Sequence, residues 1–216
     1  MTCRPLAYPC KRVVRLLLLI IMKKLILAST LAAAFIAPAF AGGLNVTSGV
    51  ATSSIRTGGS SVSVPQAMLG VSDQAGSVAF GGNLAVGHGE GVQAHQFSAF
   101  VGLPVALSKV ASVTPCTEVG YDKINTYSAK HLAVGVKASV DVGPVDLFGG
   151  VKAGRSFGVS GVPGAENGTY LGANAGVGFA AGPGQVQVAY DYTRLPVSAG
   201  LNTDVSSFTV GYAMSF

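Results

Sequence analysis

Beyond its first 41 residues, the sequence lacks any apolar run of about 18 residues, the minimum for a membrane-spanning helix. Cysteine is scarce as well: only Cys116 lies beyond residue 41, so this part of the chain has no intrachain disulfide. Charge is sparse at 11%, whereas the 30 glycines disfavour long helices. A hydrophobic chain without helical spans can satisfy its backbone groups in lipid only by closing a sheet on itself.

The first 41 residues have the pattern of an export leader. A basic Met-Lys-Lys at residues 22–24 precedes an apolar stretch, and Ala-Phe-Ala at residues 39–41 is typical of a cleavage site. This predicts a secretory signal peptide that is cut after Ala41; an uncleaved anchor is disfavoured, because lysines interrupt the apolar run. We interpret Met22 as the true start, with a long basic n-region covering residues 1–21 as the alternative.

Removal of the leader changes the charge balance. Six of the 14 basic residues and none of the nine acidic ones lie in residues 1–41, which leaves eight basic residues and a net charge of −1. The basic isoelectric point therefore belongs to the leader and does not indicate nucleic-acid binding. Residues 42–216 suit one domain, which we divide into an N-terminal segment, 42–76, and a core barrel, 77–216.

The last eight residues, 209–216, alternate strictly between small or polar and large apolar side chains. Period-two alternation predicts a strand with one greasy face. The octapeptide also resembles the assembly signal that closes Gram-negative outer-membrane barrels, which has a polar residue, a glycine two positions later, and apolar residues at the third-last and last positions. The residues that carry this signal are Thr209, Gly211, Met214 and Phe216.

Seven further segments alternate in the same way and have about the length of a tilted outer-membrane strand, roughly 9–11 residues. They are Ser77 to Gly87, Gln96 to Leu107, Val113 to Lys123, His131 to Val142, Val145 to Arg155, Tyr170 to Ala181 and Gln185 to Arg194. Their connections alternate between tight and longer, as expected for periplasmic turns and external loops. The longer ones are Gly87 to Gln93, Asn125 to Ala129, Ser156 to Gly168 and Leu195 to Asp204.

Residues 42–76 leave the number of strands open. Asn45 to Ser54 and Ser61 to Ser72 could form one more strand pair, with a tight turn at residues 73–76. Pro65 would then need an edge-like position or a bulge. The alternative is a periplasmic leader before an eight-stranded barrel; we favour ten strands, because the turn at 73–76 repeats the rhythm of the short turns.

Together, these features resemble the small outer-membrane barrels typified by the outer-membrane protein A transmembrane domain and the opacity proteins. A fainter likeness to YfaZ-type outer-membrane proteins lies around Gly76 to Pro104. The resemblance implies an all-β fold, a transmembrane antiparallel up-and-down β-barrel of eight to ten strands, in the bacterial outer membrane. It implies no cofactor and no catalytic residue.

Strand parity predicts a set of charged side chains inside the barrel. Such charges must be paired or hydrated, because a bare charge costs several kcal/mol. One interpretation is a polar plug of ion pairs, which we favour; the other is a narrow pore whose acidic excess selects cations. The predicted lumen network consists of Glu118, Asp122, Lys137, Asp141, Asp146, Lys152 and Asp191.

Parity also predicts a ring of basic side chains on the lipid-facing surface near the external ends of the strands. Long basic side chains can keep their stems in the apolar band and raise their charges to phosphate-bearing lipid. We therefore hypothesise contact with lipopolysaccharide phosphates; ordinary boundary charge is the alternative. The ring consists of His95, Lys123, Lys130, Arg155 and Arg194.

No motif for catalysis, cofactor binding or metal binding stands out. His88, Glu90 and His95 match no established metal spacing, and Cys116 has no histidine near it in sequence. We therefore predict a non-enzymatic protein with a structural or surface-interaction role in the envelope, and a narrow passive pore as the alternative. The expected partners are outer-membrane lipid or lipopolysaccharide, together with the barrel-assembly machinery and periplasmic chaperones during insertion.

Overall fold

The computed structural model describes residues 43–198 and 200–216. The predicted start at Met22, the signal peptide and its cleavage after Ala41 lie outside the described residues. No helix within the described part of the chain is long and apolar enough to cross a membrane.

The described residues form one closed antiparallel sheet of ten long strands and one two-residue strand, β5. Each long strand pairs with the next one along the chain, β4 pairs with β6, and β1 pairs with β11 to close the ring. This confirms the predicted all-β barrel and its ten strands. The strands are β1 Asn45–Thr57, β2 Ser60–Ala75, β3 Val78–Gly89, β4 Val92–Gly102, β5 Val105–Ala106, β6 Ala111–Ile124, β7 Tyr127–Val142, β8 Val145–Ser160, β9 Gly168–Ala181, β10 Gly184–Ser198 and β11 Leu201–Ser215.

Side chains alternate between the lumen and the outer surface along each strand, as the period of a β-strand requires. In β7, for example, His131 and Ala133 are buried in the lumen, whereas Leu132 and Val134 are exposed on the outside. Large apolar side chains of this kind surround the barrel, including Phe97, Val119, Val151, Phe179, Tyr190 and Phe208. An exposed apolar surface of this extent is the surface that a membrane covers.

The two ends of the barrel differ in their connections. We call the end that carries both Asn45 and Phe216 the turn end, and the opposite end, which carries the connection 161–167, the loop end. At the turn end, Gly143-Pro144 and Gly182-Pro183 make tight hairpins, with φ of +74° and +62° at the glycines. Glycine at the first central position is typical of type II′ turns, which match the twist of paired strands.

The predicted long loops at the loop end are wrong, apart from 161–167. Gly87 to Gln93 and Leu195 to Asp204 are mostly strand: β3 ends at Gly89 and β4 begins at Val92, while β10 ends at Ser198 and β11 begins at Leu201. The same is true of Asn125 to Ala129, where only residues 125–126 separate β6 from β7. Both Glu90 and Gly91 have positive φ, +50° and +76°, which is the geometry of a type I′ hairpin. Glycine and polar residues there allow two-residue turns rather than long loops.

Another predicted boundary is wrong at the turn end. The strand expected from Gln96 to Leu107 ends at Gly102, and a connection of residues 103–110, which contains β5, precedes β6. Pro104 explains the difference, because it has no backbone N–H with which to continue a strand. The chain resumes pairing with β6 at Val105 and Ala106.

Candidate functional site in the barrel lumen

A cluster of charged and aromatic side chains crosses the middle of the lumen. Glu118 and Asp122 come from β6, His131 from β7, Lys152 from β8 and Tyr170 from β9. His131 Nδ1 lies 3.0 Å from Asp122 Oδ2, and its Nε2 lies 3.3 Å from Glu118 Oε1. Lys152 Nζ donates a hydrogen bond of 2.5 Å to the same Glu118 oxygen. The cluster thus links three neighbouring strands through charge-assisted hydrogen bonds.

The contacts of His131 suit a doubly protonated ring between two ionised carboxylates. Ionised carboxylates can only accept hydrogen bonds, so the ring must donate from both nitrogens, which requires the doubly protonated form. The ring is 2% exposed and stacks on Tyr170 with 3.9 Å between ring centroids and 8° between planes. With Lys152 as the second cation, two positive and two negative groups balance. The buried cluster is therefore neutral, which is what burial of charge demands.

Glycines on neighbouring strands make room for these large side chains. A Cβ atom at Gly120, the strand partner of His131, would lie 2.3 Å from the Cε1 atom of the imidazole. A Cβ at Gly172, opposite Lys152, would lie 2.5 Å from Cε of the lysine. Both contacts are closer than van der Waals packing allows. The lumen-facing glycines thus provide the space in which the cluster sits.

Above the cluster, toward the loop end, the lumen is filled by apolar side chains from several strands. Leu195 and Val64 are 0% exposed, and Tyr127 donates a hydrogen bond of 2.8 Å from its hydroxyl to the carbonyl oxygen of Pro196. Val162 of the connection 161–167 packs against this group. We call it the loop-end cluster; its buried members are Ile55, Val64, Ala94, Tyr127, Ala129, Ala133, Tyr170, Leu195, Val197 and Val205.

Below the cluster lies a cavity of about 500 Å³ whose wall includes Lys137, Phe100, Phe148, Asp191 and Gln66. Lys137 Nζ lies 3.1 Å from the centroid of the Phe100 ring, a cation–π contact. The lumen stays accessible toward the turn end, because inward-facing side chains there are exposed, among them Ser139 and Asp141. The lumen is thus a cavity that is filled at the loop end and accessible from the turn end.

The structure places all seven predicted network residues on the lumen side. Five of them lie in the wall of the cavity: Glu118, Asp122, Lys137, Lys152 and Asp191. The other two lie near the turn end. There Asp141 accepts a hydrogen bond from the Gly143 N–H, and Asp146 accepts one from the Gln185 side chain.

Sequence reasoning missed His131, Tyr127 and Tyr170 as lumen groups. His131 has the same parity on β7 as Lys137 and Asp141, so alternation alone contained the signal. The predicted network has five carboxylates and two lysines, but Asp141 and Asp146 lie outside the cavity wall, which leaves three carboxylates and two lysines there. A doubly protonated His131 adds a third cation. With a doubly protonated His131, the charged side chains of the cavity wall carry no acidic excess.

The predicted basic ring lies on the outer surface near the loop end. His95 and Lys123 are strand partners on β4 and β6, while Lys130 and Arg155 project outward from β7 and β8. Arg194 differs from the others, because its Nε donates a hydrogen bond of 2.9 Å to Asp204 Oδ1. Asp204 also accepts a hydrogen bond from the Tyr192 hydroxyl, at 2.7 Å.

Arg56 belongs to the same surface, although it lies outside the segments that sequence analysis predicted as strands. It lies near the end of β1 as the strand partner of Asp204. Four of the ring residues, His95, Lys123, Lys130 and Arg155, make no ion pair among the described residues.

The residues of the predicted assembly signal lie on β11 or directly after it. Thr209 and Gly211 face the lumen, where the Thr209 hydroxyl contacts Met68 Sδ at 3.5 Å. Phe216 follows the end of β11; its side chain is 48% exposed, and its N–H donates to the carbonyl oxygen of Leu44 at 2.9 Å. The signal is therefore part of the strand that closes the ring against β1.

Among the described residues, the lumen-facing His131 has no free ring nitrogen with which to activate a nucleophile. Ser156, the strand partner of His131, is fully buried, and both ring nitrogens of His131 are already bound to carboxylates. Cys116 lines the cavity as a free thiol. His88 and His95 project outward from β3 and β4, and Glu90 lies in the turn between them. In residues 43–198 and 200–216, no cluster of three or more His, Cys, Asp or Glu side chains is arranged to hold a metal ion.

Comparisons with known proteins identify the fold. No protein-family model matches the sequence, and no curated protein matches it significantly. The outer-membrane protease OmpT from Escherichia coli is 11% identical over 81% of this chain and 97% of its own, with a TM-score of 0.54. The β domain of the Bordetella autotransporter Brka is 14% identical over 82% and 100%, with a TM-score of 0.52. An outer-membrane channel from Pseudomonas putida F1 is 9% identical over 81% and 95%, with a TM-score of 0.51. The chain thus has the fold of outer-membrane β-barrels.

Proposed function

We propose that this protein is an integral barrel of the bacterial outer membrane with a structural and surface-interaction role in the cell envelope. The observation that carries the proposal is the loop-end cluster, which fills the lumen with apolar side chains such as Leu195 and Val205. Close-packed apolar side chains leave no continuous water path through a barrel. A blocked lumen favours a role that resides in the barrel wall and its rim over passage of solutes.

The loop end corresponds to the external side in this proposal. Both chain ends of the described barrel lie at the turn end, and outer-membrane barrels have their short turns in the periplasm. The external surface is then formed by strand ends with tight hairpins and by the connection 161–167. This connection is held by a backbone hydrogen bond of 3.2 Å from the Glu166 N–H to the Val197 carbonyl oxygen. Contact with partners would use this rigid rim rather than long mobile loops.

Lipid and the assembly apparatus are the proposed partners. The outward-facing ring of His95, Lys123, Lys130 and Arg155 suits phosphate groups of lipopolysaccharide, since long basic side chains can reach a charged membrane boundary from an apolar wall. The C-terminal signal ending in Phe216 suits recognition by the barrel-assembly machinery and periplasmic chaperones. The sequence resemblance to small barrels of the outer-membrane protein A and opacity type concerns architecture, and it supports an envelope location for these contacts. No enzymatic activity is part of the proposal.

A narrow pore is the second candidate, and the cavity of about 500 Å³ is the observation that favours it. Conduction would require the loop-end cluster to move aside. Within the cavity, the equal numbers of carboxylates and cations would then give weak selectivity between cations and anions.

Single-channel recording in planar bilayers separates the two candidates. We expect the parent protein to give no reproducible openings, and a Leu195→Gly/Val205→Gly variant to conduct, because both side chains are buried in the loop-end cluster. Folding of each variant is checked by heat-modifiable migration on a detergent gel. If the parent protein itself gives openings, and their conductance is smaller in Lys137→Gln and Lys152→Gln, the narrow pore becomes the favoured function in place of the structural role.

A further inference from the structure

A groove crosses the outer wall of the barrel on β7, β8, β9 and β10, on the surface that faces away from the lumen. It encloses about 420 Å³, and its floor is made of small residues, because Gly149 of β8 pairs with Ala138 of β7 and Ala175 of β9. Ala173 extends this floor along β9. We call this depression the wall groove; it is defined by the floor residues Ala138, Gly149, Ala173 and Ala175 and by Tyr190 and Tyr192 at its rim.

Bulky side chains border this floor. Tyr190 of β10 pairs with Ala175 of β9. Two residues along, Tyr192 pairs with Ala173, so each phenol ring stands next to an alanine. Tyr190 is 52% exposed, and Val151, whose partner on β9 is Ala173, is 65% exposed. Dispersion attraction grows with the number of atoms in contact, so an apolar chain between these side chains is held more firmly than one on an even wall. The groove therefore has the shape to bind one acyl chain.

Four members of the basic ring form a row across neighbouring strands near the loop end. His95 of β4 and Lys123 of β6 are strand partners. Lys130 of β7 lies diagonal to Lys123, two positions from its partner on that strand, and Arg155 of β8 lies diagonal to Lys130 in the same way. Diagonal neighbours on one face of a sheet are about 7–8 Å apart, which long side chains can bridge. The row spans about 14 Å across the strands, at about 4.8 Å for each strand spacing. None of the four makes an ion pair with a residue in 43–198 and 200–216.

Arg155 connects this row with the wall groove. On β8 it lies four residues from Val151 and six from Gly149, which is about 13 Å and about 20 Å at roughly 3.3 Å per residue. The outward-facing residue between Arg155 and Val151 is Ala153, whose partner is the exposed Val134. The methyl group of Ala153 presents little obstruction between the charge and the groove. A molecule that contacts both places must have an anionic head and an apolar chain.

From this geometry we infer that the barrel wall binds one molecule of lipid A, the phosphorylated acyl anchor of lipopolysaccharide, at a defined site. Its phosphates lie at Lys130 and Arg155 and along the row toward Lys123, and one of its acyl chains lies in the wall groove. A row about 14 Å wide exceeds one phosphate group and suits a headgroup with two, which lipid A has and phosphatidylglycerol lacks. This site rests on the proposed function, in which the loop end is external, and deepens it from contact by charge to an acyl-chain site on β7 to β10.

Photochemical labelling of the folded barrel tests the site. The protein is inserted into phosphatidylcholine vesicles with a trace of lipid A that carries a diazirine in one acyl chain, and labelled peptides are identified by mass spectrometry after irradiation. We expect the label on β8 to β10, at or next to Ala173, Ala175 and Tyr190. Unlabelled lipid A should suppress it at about tenfold lower concentration than monophosphoryl lipid A or phosphatidylglycerol. Label spread evenly around the wall, as boundary lipid would give, or suppression at equal concentration by phosphatidylglycerol or cardiolipin, would overturn the inference.

A variant that fills the groove tests the acyl-chain contact. Ala173→Leu/Ala175→Leu occupies the floor with apolar side chains and leaves the basic row intact, so labelling of β8 to β10 should fall about tenfold. The matched control is Ala67→Leu/Ala99→Leu on β2 and β4, outside the groove, where both alanines pair with exposed valines of the outer wall. It should be labelled as the parent is. Parent-like labelling of the filled variant contradicts the inference. If that variant fails the heat-modifiability check, the label map and the competition series on the parent chain still decide.

A second variant separates this inference from the proposed function. Lys130→Gln/Arg155→Gln should lower labelling and remove the preference for lipid A over monophosphoryl lipid A. If this variant loses labelling while Ala173→Leu/Ala175→Leu keeps it, the basic ring holds the lipid by charge alone; the groove site is then wrong, and the proposed lipid contact stands. A parent chain without heat-modifiable, membrane-inserted protein would instead contradict the proposed envelope role.

Discussion

Gly120 and His131 are strand partners on β6 and β7, and the position of the His131 side chain requires a glycine at position 120. The imidazole occupies the space that any side chain at position 120 would need, and in that place it reaches both Glu118 and Asp122. A buried charge is stable only with partners at hydrogen-bond distance. The glycine is therefore required by the packing of its neighbours, the imidazole and the Phe97 carbonyl oxygen, which would lie 2.8 Å from a Cβ atom, rather than by its own backbone conformation.

Gly120→Ala tests this dependence. The added methyl group displaces the imidazole from its carboxylate partners, and hydrogen bonds to charged groups contribute about 1.5–3 kcal/mol each. We expect the free energy of unfolding to fall by about 2 kcal/mol, measured by urea titration of the vesicle-inserted barrel with gel migration as the readout. Gly82→Ala is the matched control, because a Cβ there meets only the Ser98 carbonyl oxygen, at 3.1 Å. Equal losses in the two variants would contradict the proposed packing role.

Alternation could predict which side chains enter the lumen, but not which of them meet. The parity of Glu118, Asp122, Lys137 and Lys152 was readable from the sequence, and all four lie in the cavity wall. The contact of His131 with both carboxylates depends on the β6–β7 register, which a single sequence does not specify. The charge balance of the cavity was not predictable for the same reason, because it depends on which carboxylates reach the wall and on the contacts of His131.

At the scale of strands, the prolines lie where the ladders of hydrogen bonds are interrupted. The β2–β3 ladder begins at Gln66, directly after Pro65. Pro115 on β6 lies opposite the gap between β4, which ends at Gly102, and β5, which begins at Val105. Pro196 lies beyond the end of the β9–β10 ladder at Arg194, next to a register shift in β10. A closed sheet accepts proline at such places, because no ladder hydrogen bond is lost there.

A proline introduced into an uninterrupted part of the sheet should prevent insertion of the barrel into the membrane. Val188 on β10 pairs with Val177 on one side and Val210 on the other. We expect Val188→Pro to yield little or no heat-modifiable protein, since an unsatisfied backbone group in lipid costs several kcal/mol. Pro196→Ala is the control and should fold as the parent does. A Val188→Pro variant that folds normally would show that the wall tolerates broken ladders.

The prolines also explain which element boundaries were predictable. Pro65 was recognised as awkward within a closed barrel, and the ten-strand prediction is correct because the ladder accommodates it at an interruption. The loop lengths were not predictable, since Gly, Asn and Ser occur both in mobile loops and in tight hairpins. Positive φ at Gly58 and Gly59, +57° and +89°, identifies a two-residue turn only once pairing of Thr57 with Ser60 is known.

At the scale of the whole molecule, polarity changes along the barrel axis and between its two faces. The lumen changes from the apolar loop-end cluster, through the neutral charged cluster, to an accessible cavity at the turn end. The outer wall is apolar, with basic side chains concentrated near the loop end. In the proposed envelope role, this asymmetry would give the barrel a defined orientation toward two different aqueous compartments and two different lipid leaflets.

The basic ring permits a prediction at this scale, and the structure selects which of its members to change. Arg194 is already paired with Asp204, so the informative residues are Lys123, Lys130 and Arg155 on the adjacent strands β6, β7 and β8. A basic residue near an anionic membrane surface contributes about 1 kcal/mol, so replacing all three with Gln should weaken lipopolysaccharide binding roughly a hundredfold. The measurement is titration of the folded protein with lipopolysaccharide at two salt concentrations, because the contribution is screened by salt.

Lys109→Gln, at the turn end, is the control and should have no effect, and Arg194→Gln should have less effect than Arg155→Gln. If the triple variant binds and folds with lipopolysaccharide as the parent does, these side chains are ordinary boundary charge, and the surface role must rest on the rim and the connection 161–167.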